Sequence, residues 1–363
     1  MDYAKRREKI NDLTEVDAVA IVPGANLTYY TGLHFHLSER PLIAILTGDN
    51  LSIIAPILEV PVIQGRPDLE VRLFTWTDEA GYQGAFDAAI RDLGLTGKRL
   101  GVDDNTMRVF EDRAFERADA TLNRVSVGKR LLDLRASKDD SEIAAIRDAI
   151  GRSQDALDNL LDWVQVGQTE QEIAGKLDEL LLMHGCTGKA FDSLIQTGPN
   201  SALPHGSVTN RPLQAGEFLL IDFGGKVGDY PADITRTFII GTPTDEQKKI
   251  YDTVLAANRA AIKAAKPGVA CGVVDKAARD VIEAAGYGEY FFHRTGHGLG
   301  LEVHELPQIA SGVEAVLESG MIFTVEPGIY IAGVGGVRIE DNILVTDSGV
   351  EVLTSFRRDL KLR

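Results

Sequence analysis

Ser319-Gly320-Met321-Ile322-Phe323-Thr324-Val325-Glu326-Pro327-Gly328 has an upstream counterpart in Ala215-Gly216-Glu217-Phe218-Leu219-Leu220-Ile221-Asp222-Phe223-Gly224. In both stretches a glycine is followed six residues later by an acid, and a second glycine stands two residues beyond it. The apolar run between the glycines reads as a strand, with the acid at its end. Each copy is followed by another acid, Asp233 in Asp233-Ile234-Thr235-Arg236-Thr237 and Glu340 in Val337-Arg338-Ile339-Glu340-Asp341. A carboxylate at the end of an apolar strand is costly to desolvate unless a cation or donor compensates it. Four of them, with His297 between Gly296 and Gly298, suggest a site for two divalent metal ions.

The flanking sequence extends the duplication. Ser137 and Asp140 predict a helix start, after which Ile143, Ile146, Ile150, Leu157, Leu160 and Val164 recur at helical spacing. Thr169 and Glu172 form a capping box for a second helix, which stops at Gly185 after His184. Thr244 with Gln247 opens a third helix that ends before Pro267, and a fourth spans 273–285 and stops at Gly286. Each helix pair precedes one acid-bearing strand unit. Residues 131–363 therefore read as two pseudo-symmetric halves of helices and antiparallel strands, with a site between them.

Residues 224–229 read as a turn that folds Asp222 and Asp233 onto one face, and 333–336 as a turn that does the same for Glu326 and Glu340. The glycines beside His297 let the backbone approach closely. Oxygen ligands with one imidazole favour Mn, Co, Fe or Zn over a thiolate-type site. Two such ions can activate a water and polarise a carbonyl, which suits amide hydrolysis.

The first 130 residues read as a smaller α/β domain. Strands are expected at 18–22, 42–46, 51–55, 71–74 and 100–102, with a helix at 79–93 and a long loop at 31–41. The whole chain is thus of the α+β class. Its 363 residues, 44% of them apolar, suffice for two domains with separate cores. A formal net charge of −16 disfavours nucleic acid and anionic membranes as partners. Cys186 and Cys271 lack metal-ligand spacing and are expected to pack in a reducing compartment. The charged N-terminus leads into no apolar signal region, and no apolar run reaches the ~20 residues of a membrane helix. These features point to a soluble, cytoplasmic protein.

The run His293-Arg294-Thr295-Gly296-His297-Gly298-Leu299-Gly300-Leu301-Glu302-Val303-His304-Glu305-Leu306-Pro307 resembles the signature of the proline peptidases in the M24 metallopeptidase family. So do 324–330, containing Glu326-Pro327-Gly328, and 335–341, containing Arg338-Ile339-Glu340-Asp341. The N-terminal domain more loosely resembles the creatinase/prolidase type. The resemblance implies a pita-bread catalytic domain with two divalent ions, manganese first, with cobalt, zinc or iron as alternatives. It implies that Asp222 chelates one metal, that Asp233 and Glu340 bridge both, and that His297 and Glu326 complete the other. It further implies Glu326 as a proton shuttle, His205 and His304 as substrate contacts, and Arg338 as the partner of a ligating carboxylate. His293 by itself reads as a structural histidine. Phe191 and Tyr230 are candidate walls of a prolyl pocket.

Proline-containing peptides are the implied substrates, and a homodimer the implied assembly, with His36 near a neighbour's site. An Xaa-Pro aminopeptidase, the aminopeptidase P type, is favoured over an Xaa-Pro dipeptidase for two reasons. Gln308 stands where several such dipeptidases have an arginine, and His36-Leu37-Ser38-Glu39-Arg40 departs from their acidic loop. Methionine aminopeptidase-like and creatinase-like hydrolases are less favoured. The former usually lack an N-terminal domain of this kind, and the creatinase lineage lacks the complete ligand set.

Overall fold

The computed structural model describes residues 1–48 and 50–362. The chain divides into two compact units, Met1–Leu134 and Arg135–Arg363.

The first unit is built on a six-stranded sheet in the spatial order Val71–Trp76, Asn50–Pro56, Ile43–Thr47, Ala18–Ile21, Arg99–Val102, Asn123–Ser126. Ile43–Thr47 runs antiparallel to both neighbours, and the remaining pairs are parallel. Ala18–Ile21 is buried along its whole length, as a central strand covered on both faces must be. Helices Gln83–Asp92 and Val109–Ala118 place Phe86 edge-on to Phe115, with ring centroids 4.9 Å apart, over Ile43, Ile54 and Leu100. Five of the six strands are legible as apolar runs. The sixth, Asn123–Ser126, carries a single aliphatic side chain and is held through its backbone pairing.

The second unit carries four long helices, Asp140–Trp163, Glu170–Met183, Asp245–Ala264 and Cys271–Ala284, packed in consecutive pairs. Each pair has its own core. Ile146, Leu157, Ile173 and Leu177 pack with Ile221, Phe223 and Ile234, whereas Ile250, Val254, Val274 and Ile282 pack with Phe323, Val325 and Ile343. The expected two halves are thus physically two helix-on-sheet layers. In the first, Phe218–Phe223 lies between Leu194–Thr197 and Ile234–Ile239. In the second, five strands run in the order Glu305–Ile309, Gly296–Gly298, Ile322–Val325, Asp341–Val345, Val350–Val352. Every pairing in both sheets is antiparallel.

Three of the four helix starts are capping boxes. Thr169 with Glu172 and Thr244 with Gln247 are the expected ones. The first helix starts later than its sequence suggested. The Asp139 carboxylate accepts from the Glu142 N–H at 2.9 Å, and the Glu142 carboxylate accepts from the Asp139 N–H at 3.0 Å. Ser137 is drawn instead into an antiparallel bridge with Met321, so its backbone is committed before the helix begins. Cys186 and Cys271 are free and buried. Among the described residues no helix is long and apolar enough to cross a membrane.

Candidate metal centre

The paired strands carry the acids to one place. Phe223 lies opposite Ile234, so Asp222 and Asp233 sit at the same end of their ribbon. The chain between them folds as a small hairpin, Gly225–Val227 with Tyr230–Pro231, around Gly228 at φ 58°. In the other half, Val325 lies opposite Asp341, which leaves Glu326 and Glu340 at adjoining strand ends. The hairpin Gly328–Ile331 with Gly335–Arg338 joins them. His297 occupies a strand that only glycine can flank. A Cβ at Gly296 would overlap the Thr324 carbonyl, and one at Gly298 the Leu306 carbonyl.

His297 Nε2 lies 3.1 Å from Glu326 Oε1 and 3.6 Å from Asp233 Oδ2. Asp233, His297 and Glu340 present one donor atom each, all within 4.8 Å of one another. A ring of neighbours orients the carboxylates. Thr235 Oγ1 donates to Glu340 Oε2 at 2.6 Å, Thr324 Oγ1 to Glu326 Oε1 at 3.1 Å, and Arg338 Nη2 to Asp222 Oδ2 at 2.5 Å. Asn342 Nδ2 donates to the Asp233 carbonyl at 2.5 Å.

Burial pushes the Asp222, Asp233 and Glu340 carboxyls above the usual carboxylate range, and charges of neighbouring acids add to the shift. Glu326 goes the other way. Burial would raise it, but the hydrogen bond and charge of His297 outweigh that and hold it at about 2. Asp222 Oδ1 is buried with no hydrogen-bond partner among the described residues. Oxygen acceptors thus outnumber the donors available to them, an imbalance that divalent cations redress. A set of carboxylates with a single imidazole fits Mn, Co, Fe or Zn.

All five residues line one cavity of about 550 Å³. His205, His304 and Arg338 line it too, so the ligand set and the three further residues that the resemblance implied face a common space. The His304 ring meets His297 edge-on, with centroids 4.3 Å apart. It reaches solvent on its other side, yet burial and the neighbouring His297 push its pKa down to about 4. His304 is therefore a neutral imidazole at pH 7.

Of the two candidate pocket aromatics, Phe191 lines the cavity and Tyr230 does not. The Tyr230 ring is buried in the core, and its hydroxyl donates to Glu142 Oε1 at 3.0 Å. His36 belongs to the irregular segment of the first unit and is exposed there.

Two cavity residues escape a reading of single residues. His293 Nε2 lies 3.0 Å from Tyr330 Oη, which accepts from Arg338 Nη1 at 2.9 Å. Tyr330 therefore turns its proton toward His293, whose Nδ1 donates to the Arg294 carbonyl at 2.7 Å. Burial pushes the Tyr330 hydroxyl up to about 12 and His293 below the ordinary histidine value, which keeps both neutral. The available signal was the place of His293 four residues before His297. Arg294 lines the cavity and makes no ion pair among the described residues. Gln308 is exposed on its strand and lies outside the cavity lining.

Comparison with known proteins agrees with this geometry. Residues 144–347 match the model of metallopeptidase family M24, and residues 4–136 match that of the creatinase/prolidase N-terminal domain. The Xaa-Pro dipeptidase of Pyrococcus horikoshii is 36% identical over 362 residues, covering 99% of this chain and 98% of the relative. The crystal structure of a prolidase from Thermococcus sibiricus superposes with a TM-score of 0.92 at 32% identity, covering 99% of both chains. That of an X-Pro aminopeptidase from Thermotoga maritima gives 0.87 at 31% identity, again over 99% of both.

Proposed function

Because the chain belongs to metallopeptidase family M24, we propose that it is an Xaa-Pro dipeptidase whose divalent metal ions are held by Asp222, Asp233, His297, Glu326 and Glu340. The observation that carries the dipeptide specificity is Arg294, a cation on the cavity wall without an ion-pair partner among the described residues. A dipeptide ending in proline presents a free carboxylate beside the scissile bond, and an arginine is suited to receive it. The aminopeptidase reading rests on Gln308 in place of an arginine and on the altered loop His36-Leu37-Ser38-Glu39-Arg40. Gln308 is exposed and lies outside the cavity lining, which weakens its bearing on substrate length. The names of the relatives support the dipeptidase, and the similarity to the Thermotoga maritima enzyme keeps an aminopeptidase P activity as the second reading.

The metals, when bound, supply Lewis acidity toward the scissile carbonyl and lower the pKa of water. Glu326 moves the proton of the attacking water to the proline nitrogen. His304, neutral at pH 7, and His205 offer N–H donors where negative charge develops on the carbonyl oxygen. Arg338, fixed by Tyr330 and Asp222, holds that carboxylate in place. Phe191, Leu194 and Val303 form the apolar wall against which a prolyl ring packs. The tertiary amide before proline has no N–H, so the site needs no acceptor for one. Two buried free thiols and the charge of −16 support a cytoplasmic setting and a peptide rather than a nucleic-acid substrate.

Turnover of Ala-Pro and Ala-Pro-Ala, side by side with manganese, tests the assignment. We expect rapid cleavage of the dipeptide and slow or no release of alanine from the tripeptide. Comparable release from the tripeptide would establish the aminopeptidase instead. Arg294→Ala should raise KM for Ala-Pro by about tenfold or more, since a charged hydrogen bond is worth ~1.5–3 kcal/mol. Metal content should not change.

A further inference from the structure

Glu170 is the first residue of the helix Glu170–Met183, and it is completely buried. Its carboxylate accepts five hydrogen bonds. Oε1 takes them from the Thr197 N–H at 2.8 Å, Thr197 Oγ1 at 3.0 Å and Asn200 Nδ2 at 3.0 Å. Oε2 takes them from the Thr209 N–H at 2.9 Å and Thr209 Oγ1 at 2.6 Å. Thr197 ends a strand and Thr209 follows an irregular excursion, so one side chain ties the two ends of the intervening segment. That segment carries Pro204, His205 and Gly206 to the cavity wall.

Only an acceptor-only group can satisfy five donors at two oxygens. A glutamine would turn an amide N–H₂ toward one set of donors, and an apolar residue would orphan all of them. If helix packing alone were at stake, a buried carboxylate would be a costly choice. The rest of the segment is tied down in the same way. Gln196 Nε2 donates to the Leu203 carbonyl at 2.7 Å, and Ser201 Oγ accepts from the Gly336 N–H at 2.8 Å, two residues before Arg338.

We propose that Glu170 is a positioning residue for His205, clamping both ends of its loop so that the imidazole is held against the cavity. This rests on the reading of His205 as a substrate contact. The test combines kinetics with amide hydrogen exchange on the full chain, using Glu170→Gln, His205→Ala and the double variant. Glu170→Gln should lower kcat on Ala-Pro by about 10–100-fold, as expected when a reacting group is misplaced, with KM and metal content little changed. In the His205→Ala background the same substitution should cost less than about twofold, because the two residues act as one unit.

Equal losses in the two backgrounds, or wild-type turnover of His205→Ala, would overturn the proposal. Exchange of the amides of residues 198–209 should accelerate in Glu170→Gln while that of Phe218–Phe223 stays slow. Unchanged exchange would refute the clamp even in a preparation that cuts no peptide, so its failure is separable from that of the dipeptidase assignment. Should Glu170→Gln not fold, Thr209→Val, which removes one of the five donors, is read by the same two criteria.

Discussion

Asp233 stands where most of the centre converges. Its carboxylate lies within reach of His297, its donor atom groups with those of His297 and Glu340, and its carbonyl is held by Asn342. Asp233→Ala should therefore abolish Ala-Pro hydrolysis and release metal, with the circular dichroism of the wild type retained. His304→Ala should keep its metal and lose ~10²–10³-fold in kcat, the cost of one transition-state donor. Metal loss in that variant would make His304 a ligand. The acids and His297 are legible in the sequence as a set because glycine spacing and apolar runs are local properties. Whether Tyr230 faces core or cavity depends on which strands pack together, and no local pattern encodes that. Arg294 lacked any signal of its own, since a single arginine is ordinarily a solvated side chain.

Among the secondary-structure elements, the strands carrying the acids are tied together from behind by a buried charge network. Asp341 is fully buried and accepts from Arg236 Nη2 at 2.9 Å, Asn258 Nδ2 at 3.0 Å and Arg358 Nε at 3.1 Å. Arg236 also donates to the Glu340 carbonyl, and Asn258 to the Val325 carbonyl, the residue before Glu326. One carboxylate thus links the strand Ile234–Ile239, the end of Ile322–Val325 and the C-terminal segment. Asp341→Ala leaves two arginines without their anion and should destabilise by about 3–5 kcal/mol in urea unfolding. A loss under ~1 kcal/mol would show that the network is incidental. Helix starts were legible where Thr169 and Thr244 cap alone. The first start was misread by two residues because Ser137 and Asp139 both have capping side chains, and only the bridge to Met321 decides between them.

For the molecule as a whole, the crowded carboxylates link metal, pH and stability. Asp222, Asp233 and Glu340 bind protons more tightly in the folded metal-free protein than in the unfolded chain, whose carboxyls titrate near ~4. Their contribution is complete below that pH and is lost as pH rises through the raised values. Glu326, held at about 2, contributes in the opposite sense, but its share is already complete above ~pH 5. From about pH 5 to 8 the chelated protein should lose melting temperature while the manganese-loaded protein does not, because metal binds the ionised forms. Parallel curves would deny the linkage. The two helix-and-sheet halves were readable from the repeated acid motif, since duplication of a strand end implies duplication of the layer that supports it.

The most direct test is a manganese titration of the chelated protein, following bound metal and Ala-Pro hydrolysis together. Activity that appears as two metal ions bind per chain is the predicted result. Hydrolysis that persists without metal, or a protein that binds both ions and leaves Ala-Pro intact, would contradict the assignment.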